Sequence, residues 1–278
     1  MSNHEAGNQK ITRPAIRKSR PGEGLAFDFS RPLIFVAHPD DETLGCGGLL
    51  QRMASSLVVF ATNGAPRHHG FERKFGTLQR YSDTRFQEAA VAVAQVPNCS
   101  FRRLTKPDGT YFVDEQLFRD LAQALTALCR IARSFSPDAL VSHAYEGGHI
   151  DHDACSFLTM HAAAALALRR FEFPLYSRNS LGQFVLQQFS DEGCAPLEWQ
   201  LTEAELSCKR RMLEAYASQP GLASAFQLGS ERIRLATRAD FSLARCRDYS
   251  YRNRWQRLWR RGLTASALLK NFKEFEAP

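Results

Sequence analysis

Short runs bounded by turn residues alternate with longer stretches of helical period along this chain. Leu33 to Val36, Leu57 to Ala61, Cys99 to Leu104 and Ala139 to Ser142 each predict a short strand. Helical periodicity fills the intervals, over about 42–55, 77–95, 114–134 and 153–170. Strand–helix alternation from 33 to 170 predicts an α/β fold, a mostly parallel sheet with helices on both faces. In such a sheet the loops that leave the carboxyl ends of the strands open on one edge. Open α/β sheets place their ligand sites there.

Later elements are less regular. Strand-like runs occur around Leu175 and from Phe184 to Phe189, and a helix follows over about 202–217. Thr202 and Glu205 have the spacing of a capping box at its start. Residues 1 to 28 are polar and read as a flexible arm, residues 29 to 220 as the main domain, and residues 221 to 278 as a smaller strand/helix extension packed on it. Gly45, Gly47 and Gly48 fall in the first turns of the first helix, where missing side chains allow a close approach to a ligand or a strand.

Composition narrows the class. The 278 residues are 44% hydrophobic and 23% charged, ordinary for a globular protein, and no apolar run is long enough for a membrane span. Seven scattered cysteines without a C-x-x-C pair read as free thiols, which suits a cytoplasmic location better than a disulfide scaffold. The net charge of +7 favours an anionic partner without naming one. Residues 245 to 261 hold seven arginines, with Trp255 and Trp259 on one helical face. That segment reads either as peripheral contact with a membrane surface or as an amphipathic helix packed on the domain. No nucleic-acid partner is expected, and a homo-oligomer remains open.

The candidate chemistry lies in two dense polar stretches, each just past a strand. The first is His38-Pro39-Asp40-Asp41-Glu42 and the second is Glu146-Gly-Gly-His149-Ile-Asp151-His152-Asp153. Either alone could be a polar cap on a helix. Together, on two strand exits of one sheet edge, they read as a site. Imidazole with carboxylate suits zinc, and also Fe2+ or another divalent first-row metal. The first stretch supplies two ligands and leaves one carboxylate free as a base, and His152 supplies a third ligand. His149 is then free for acid or oxyanion work, with Asp151 to hold its tautomer. Thr62-Asn63-Gly64 is another strand-exit loop, and residues 65 to 76 read as a loop on the substrate side. Arg85 and Glu88 share a helix face, which by itself suggests only an ion pair.

A-H-P-D-D-E, then T-N-G, R-x-x-E, H-x-D-H and K-x-x-M-L-x-x-Y-x-S-Q occur in that order over about residues 33 to 220. This series resembles the PIG-L/LmbE-like family of metal-dependent de-N-acetylases. The resemblance implies a Rossmann-like three-layer sandwich and removal of an N-acetyl group from N-acetylglucosamine-type conjugates, whether small molecules or lipid- or polymer-linked. It implies His38, Asp41 and His152 as Zn2+ ligands, Asp40 as general base, and His149 as oxyanion stabiliser and acid with Asp151 as its partner. It also implies Arg85 as a substrate-binding residue, and the T-N-G loop adds Asn63 to that role. Ile150 stands where the family usually has proline. The alternatives are an amidase for another N-acyl or thiol-conjugate substrate, and a non-catalytic carbohydrate-binding member of the fold.

Overall fold

Strand β2 (Pro32–Val36) is buried along its whole length, as a strand covered on both faces must be. The structure, a computed structural model, describes residues 17–19, 28–67, 69–179, 183–191, 193–236, 239–246, 249 and 264–277. The expected arm over 1–28 lies outside these apart from 17–19 and 28, and the Arg/Trp segment of 245–261 lies outside them apart from 245, 246 and 249.

β2 pairs in parallel with β3 (Ser56–Phe60) on one side and with β5 (Ala139–His143) on the other. β4 (Cys99–Arg103) and β6 (Arg169–Phe173) continue the parallel sheet outward from β3 and β5. The order is thus β4-β3-β2-β5-β6, and the direction of winding reverses between β2 and β5. Antiparallel β10 (Ser230–Leu235) and β9 (Leu197–Gln200) then extend the β6 edge, and β1 (Arg17–Ser19) pairs in parallel with β9. A separate hairpin is formed by β7 (Tyr176–Arg178) and β8 (Phe184–Leu186).

Helices cover both faces. One apolar cluster joins the sheet to α1 (Asp41–Arg52), α3 (Leu78–Val93) and α6 (Glu203–Glu214). The other joins it to α4 (Leu121–Phe135), α5 (Ile150–Leu166) and the final helix α8 (Ala265–Glu276). The expected α/β sandwich is therefore present. Two further short helices are α2 (His69–Phe75), where a loop was expected, and α7 (Leu222–Ala225).

The boundaries differ where tertiary contacts override local pattern. The helix expected from 114 begins at Leu121, because residues 112–120 are drawn into the site described below. The helix expected to reach 170 stops at Leu166, with Ala167 at φ 53°, and R-R-F-E-F then forms β6. No glycine or proline signals that stop, which is why periodicity ran past it. The α1 glycines allow close approach to protein rather than to a ligand. A Cβ on Gly45 would stand 2.3 Å from the Phe173 ring, and one on Gly48 would meet Leu201 at 3.0 Å and Glu231 at 3.1 Å.

α1 is anchored from outside by a buried ion pair. Lys209 on α6 is fully buried, and its Nζ donates to Glu231 on β10 at 2.6 Å and to the Leu44 carbonyl at 3.0 Å. Glu231 also accepts from the main-chain N–H of Gly48 and Leu49. Removing one partner leaves the other charge uncompensated in the core. Lys209→Met is expected to destabilise the fold by about 3–5 kcal/mol, and adding Glu231→Gln to recover part of that loss. Urea unfolding of the two variants measures it; equal stability of wild type and Lys209→Met would refute the anchoring role.

Candidate metal centre and catalytic cleft

Two strand exits build the site. β2 ends at Val36 and delivers His38, Asp40 and Asp41, and β5 ends at His143 ahead of the loop to His149. Because β2 and β5 are neighbours, these loops face each other at the point where winding reverses, the position at which doubly wound sheets form a crevice.

The predicted ligands converge. Asp41 lies between two imidazoles, its Oδ2 3.3 Å from His38 Nδ1 and its Oδ1 3.3 Å from His152 Nε2. The main-chain N–H of His38 donates to Asp41 Oδ2 at 2.8 Å and fixes the carboxylate. His152 is fully buried, and neither of its ring nitrogens has a hydrogen-bond partner. Buried polar atoms without partners are costly and rare. Imidazole nitrogens left bare beside a carboxylate fit a divalent cation.

Sequence reasoning missed two residues here. His143, the last residue of β5, stacks on His152 with ring centroids 3.8 Å apart and planes 9° apart. Ligand atoms of Asp41, His143 and His152 lie within 4.8 Å of one another, as do those of His38, His149 and His152. The Ala37 N–H donates to His143 Nε2 at 3.1 Å, so that lone pair is already used. Its Nδ1 is buried without a hydrogen-bond partner, so the ring is placed both to brace His152 and to join Asp41 and His152 as a ligand. Its place at a strand exit was the available signal. Asp114 is the second. Its Oδ1 lies 3.2 Å from His38 Nε2, and its place inside an assumed helix concealed it.

Asp40 occupies a strained position, with φ 118°. Its N–H donates to Glu42 Oε2 at 3.0 Å, and Tyr216 Oη donates to the other Glu42 oxygen at 2.6 Å. Its carboxylate receives Arg85 Nη2 at 2.6 Å on Oδ2. Arg85 also donates to the carbonyls of Pro39 and Gly64, and its Nε has no hydrogen-bond partner. Glu88, three residues on, accepts from both N–H and Oγ of Ser218. The segment after α6 thus supports the site from beneath.

The second loop is equally constrained. His149 caps α5, and its Nδ1 accepts from the Asp151 N–H at 3.2 Å. The expected Asp151–His149 partnership therefore runs through the main chain. The Asp151 carboxylate instead accepts from the N–H of Glu115 and Leu117 and stands 3.5 Å from His38 Nε2. Asn63 does not line the cleft; its Oδ1 accepts from the N–H of Ala65 and Asp114 and so shapes the Asp114 loop. Asp153 accepts from the N–H of Glu146 and Gly147 and from Tyr249 Oη. His38, Asp40, Asp41, Arg85, Asp114 and His149 line a cleft of about 210 Å³, walled also by Leu44, Tyr81, Tyr176 and Phe226.

Charge states follow from burial and neighbours. Burial pushes the Asp40 carboxyl up to about 8, against the pull of Arg85. Burial also opposes ionisation of Asp41, yet His152 and His143 outweigh it and hold this carboxyl well below the usual range. Burial, then His143, lowers His152 to about 3, so it is the neutral imidazole a metal needs. Burial works against charge on His38, but Asp114, Asp151 and Asp41 raise its pKa well above the ordinary value.

Fold and donor set together give an α/β domain whose clustered His and Asp side chains could hold a metal ion. Residues 33–163, which contain every residue of the cluster, match the family described as PIG-L, GlcNAc-PI de-N-acetylase. The matched segment spans a little less than half of the chain. Among curated proteins no sequence matches the chain. Among solved structures, the zinc-inhibited form of the teicoplanin deacetylase Orf2 has a TM-score of 0.55 at 18% identity, over 76% of this chain and 100% of its own. The A40926 pseudoaglycone deacetylase Dbv21 has a TM-score of 0.54 at 21% identity, over 71% and 85%. The N,N'-diacetylchitobiose deacetylase from Pyrococcus horikoshii has 0.50 at 15% identity, over 75% and 84%. At these identities the likeness is one of fold.

If His143 is a brace and not a ligand, His143→Phe keeps full metal stoichiometry by elemental analysis. It loses roughly 1–3 kcal/mol of stability, because the Ala37 N–H is left buried without an acceptor. A halved metal content with unchanged stability would make it a ligand.

Proposed function

We propose that the chain hydrolyses the N-acetyl group of an N-acetylglucosamine-type amino-sugar conjugate, releasing acetate and a free amine. The observation that carries this reading is the convergence of His38, Asp41 and His152 with Asp40 and His149 at one crevice. Those three ligands would hold the cation, Zn2+ or Fe2+. When bound, such an ion polarises the acetyl oxygen and makes a neighbouring water more acidic.

The protein groups then have separate tasks. Asp40 takes a proton from the attacking water. Arg85 is bonded to Asp40 Oδ2, which leaves Oδ1 for that proton. The low dielectric that raises the Asp40 pKa also makes it a stronger base, and a bound cation would moderate the rise. Since His149 Nδ1 accepts a hydrogen bond, its proton sits on Nε2. Donation from Nε2 to the carbonyl oxygen as it becomes anionic supplies roughly 3 kcal/mol. The C–N bond then breaks, and the proton held by Asp40 passes to the departing nitrogen. Arg85 lines the cleft beside Asp40, where it would contact substrate.

Asp40→Asn is expected to retain metal and lose about 10²–10⁴-fold in turnover. His152→Ala is expected to lose the metal itself, read by elemental analysis. Acetate release from a panel of N-acetylglucosamine conjugates, followed by mass spectrometry with and without chelator, tests the activity. Full turnover by Asp40→Asn would remove it from the base role, and chelator-insensitive release would remove the metal from the reaction.

A further inference from the structure

The sheet is open at the end away from β1. Among the described residues its edge strand there, β4, pairs only with β3. Successive side chains of a strand point to opposite faces. Phe101 and Arg103 turn toward the α3 layer, where Phe101 packs on Phe60 and the Arg103 guanidinium lies 3.8 Å from the centre of the Phe86 ring. Ser100 and Arg102 turn to the other face and are exposed there. A cavity of about 350 Å³ lies between them and the flank of α4. Its other walls are Arg31, Leu57, Arg130, Ile131, Ser134 and Phe135, so it shares no residue with the catalytic cleft. Arg31 stands just before β2, at the opposite end of that strand from His38.

The lining is cationic. Three arginines face this space, and neither β4 nor α4 carries an Asp or Glu. Among the described residues Arg102 and Arg130 form no hydrogen bond or ion pair. Arg31 is held in place. Its Nε and Nη2 donate to the Phe135 carbonyl at 3.1 and 2.9 Å, and its guanidinium lies 4.4 Å from the centre of the Phe135 ring. Asp138, just past α4, accepts from the main-chain N–H groups of Ser30 and Arg31 and so fixes the Arg31 backbone. Ser100 and Ser134 add hydroxyl donors. Guanidinium is a planar fork that pairs with oxyanions through parallel hydrogen bonds. A phosphate group, with acceptor oxygens on several sides, can meet more than one such fork at once. Leu57 and Ile131 form an apolar wall beside them, against which the carbon part of an ester can rest. The volume lies within the range of small-molecule sites, roughly 300–1,000 Å³.

We propose that this notch between β4 and α4 is a binding site for a phosphate group, free or as the monoester of a small molecule, separate from the catalytic cleft. Arginines on an edge strand also keep it from pairing with other chains, but that role asks for no arginine on the neighbouring helix or ahead of β2.

Calorimetric titration of the metal-loaded full chain with inorganic phosphate and with phenyl phosphate tests the site. Saturable binding is expected. Arg102→Gln and Arg130→Gln change exposed side chains and are each expected to weaken it about tenfold, and the double variant to abolish it. Arg210→Gln, exposed on α6 at the other face of the sheet, is expected to leave it unchanged. Tighter binding of phenyl phosphate than of phosphate would make an ester the ligand, and equal or weaker binding the free ion; either supports the site. Absence of saturable binding, or an equal loss in Arg210→Gln, would leave only general surface charge and overturn it. Binding that survives the double variant would place the anion elsewhere, as at the metal centre, and overturn it too.

Discussion

The site depends on one structural constraint, the parallel pairing of β2 with β5. Phe35 lies opposite Ser142, and Ser142 Oγ donates to the Phe35 carbonyl at 2.7 Å. A slip of that register by one residue would turn each side chain to the other face. It would also separate Asp41 on one strand exit from His143 and His152 on the other. Full burial of both strands opposes such a slip, so the apolar core and the polar centre are specified by the same contacts.

Holding charge in that place is unfavourable by itself, and much of the surrounding structure offsets the cost. Asp41 receives a main-chain N–H, Asp151 receives two, and Asp153 receives two more with a tyrosine hydroxyl. Hydrogen bonds to ionised acceptors are stronger than neutral ones and stabilise carboxylates that burial would otherwise protonate. Glycines serve the same end. A Cβ on Gly148 would strike the Tyr176 carbonyl at 1.7 Å, so the His149 loop can approach β7 only through glycine at that position.

How much of this was legible depended on whether the signal was local. His38, Asp41 and His152 could be read because each lies within a few residues of a strand end, and alternation alone set the strands on one sheet. Asp114 could not, because its loop is held open by Asp151, some 36 residues away in sequence. A window that counts apolar positions sees F-V-D-E-Q-L-F as the start of a helix. β9 and β10 were missed for a similar reason. Their pairing partners are each other and β6, and neither carries the continuous apolar run of a central strand. The roles of Lys209 and Glu231 are also invisible locally, since a lysine in the middle of an amphipathic helix ordinarily faces water.

The electrostatics of the cleft argue for a cation on physical grounds alone. Asp40, Asp41, Asp114 and Asp151 are all buried, within a few ångströms of His38 or of one another's partners. Against them stand Arg85, bonded to Asp40, and imidazoles of which His152 is held neutral. Even with Asp40 protonated, three carboxylates against one guanidinium leave an excess of negative charge in a region of low dielectric, where repulsion is least screened. His38 answers part of that excess by a raised proton affinity, which amounts to binding the smallest available cation. A divalent ion would displace that proton and neutralise the same carboxylates while engaging nitrogens that otherwise have no partner.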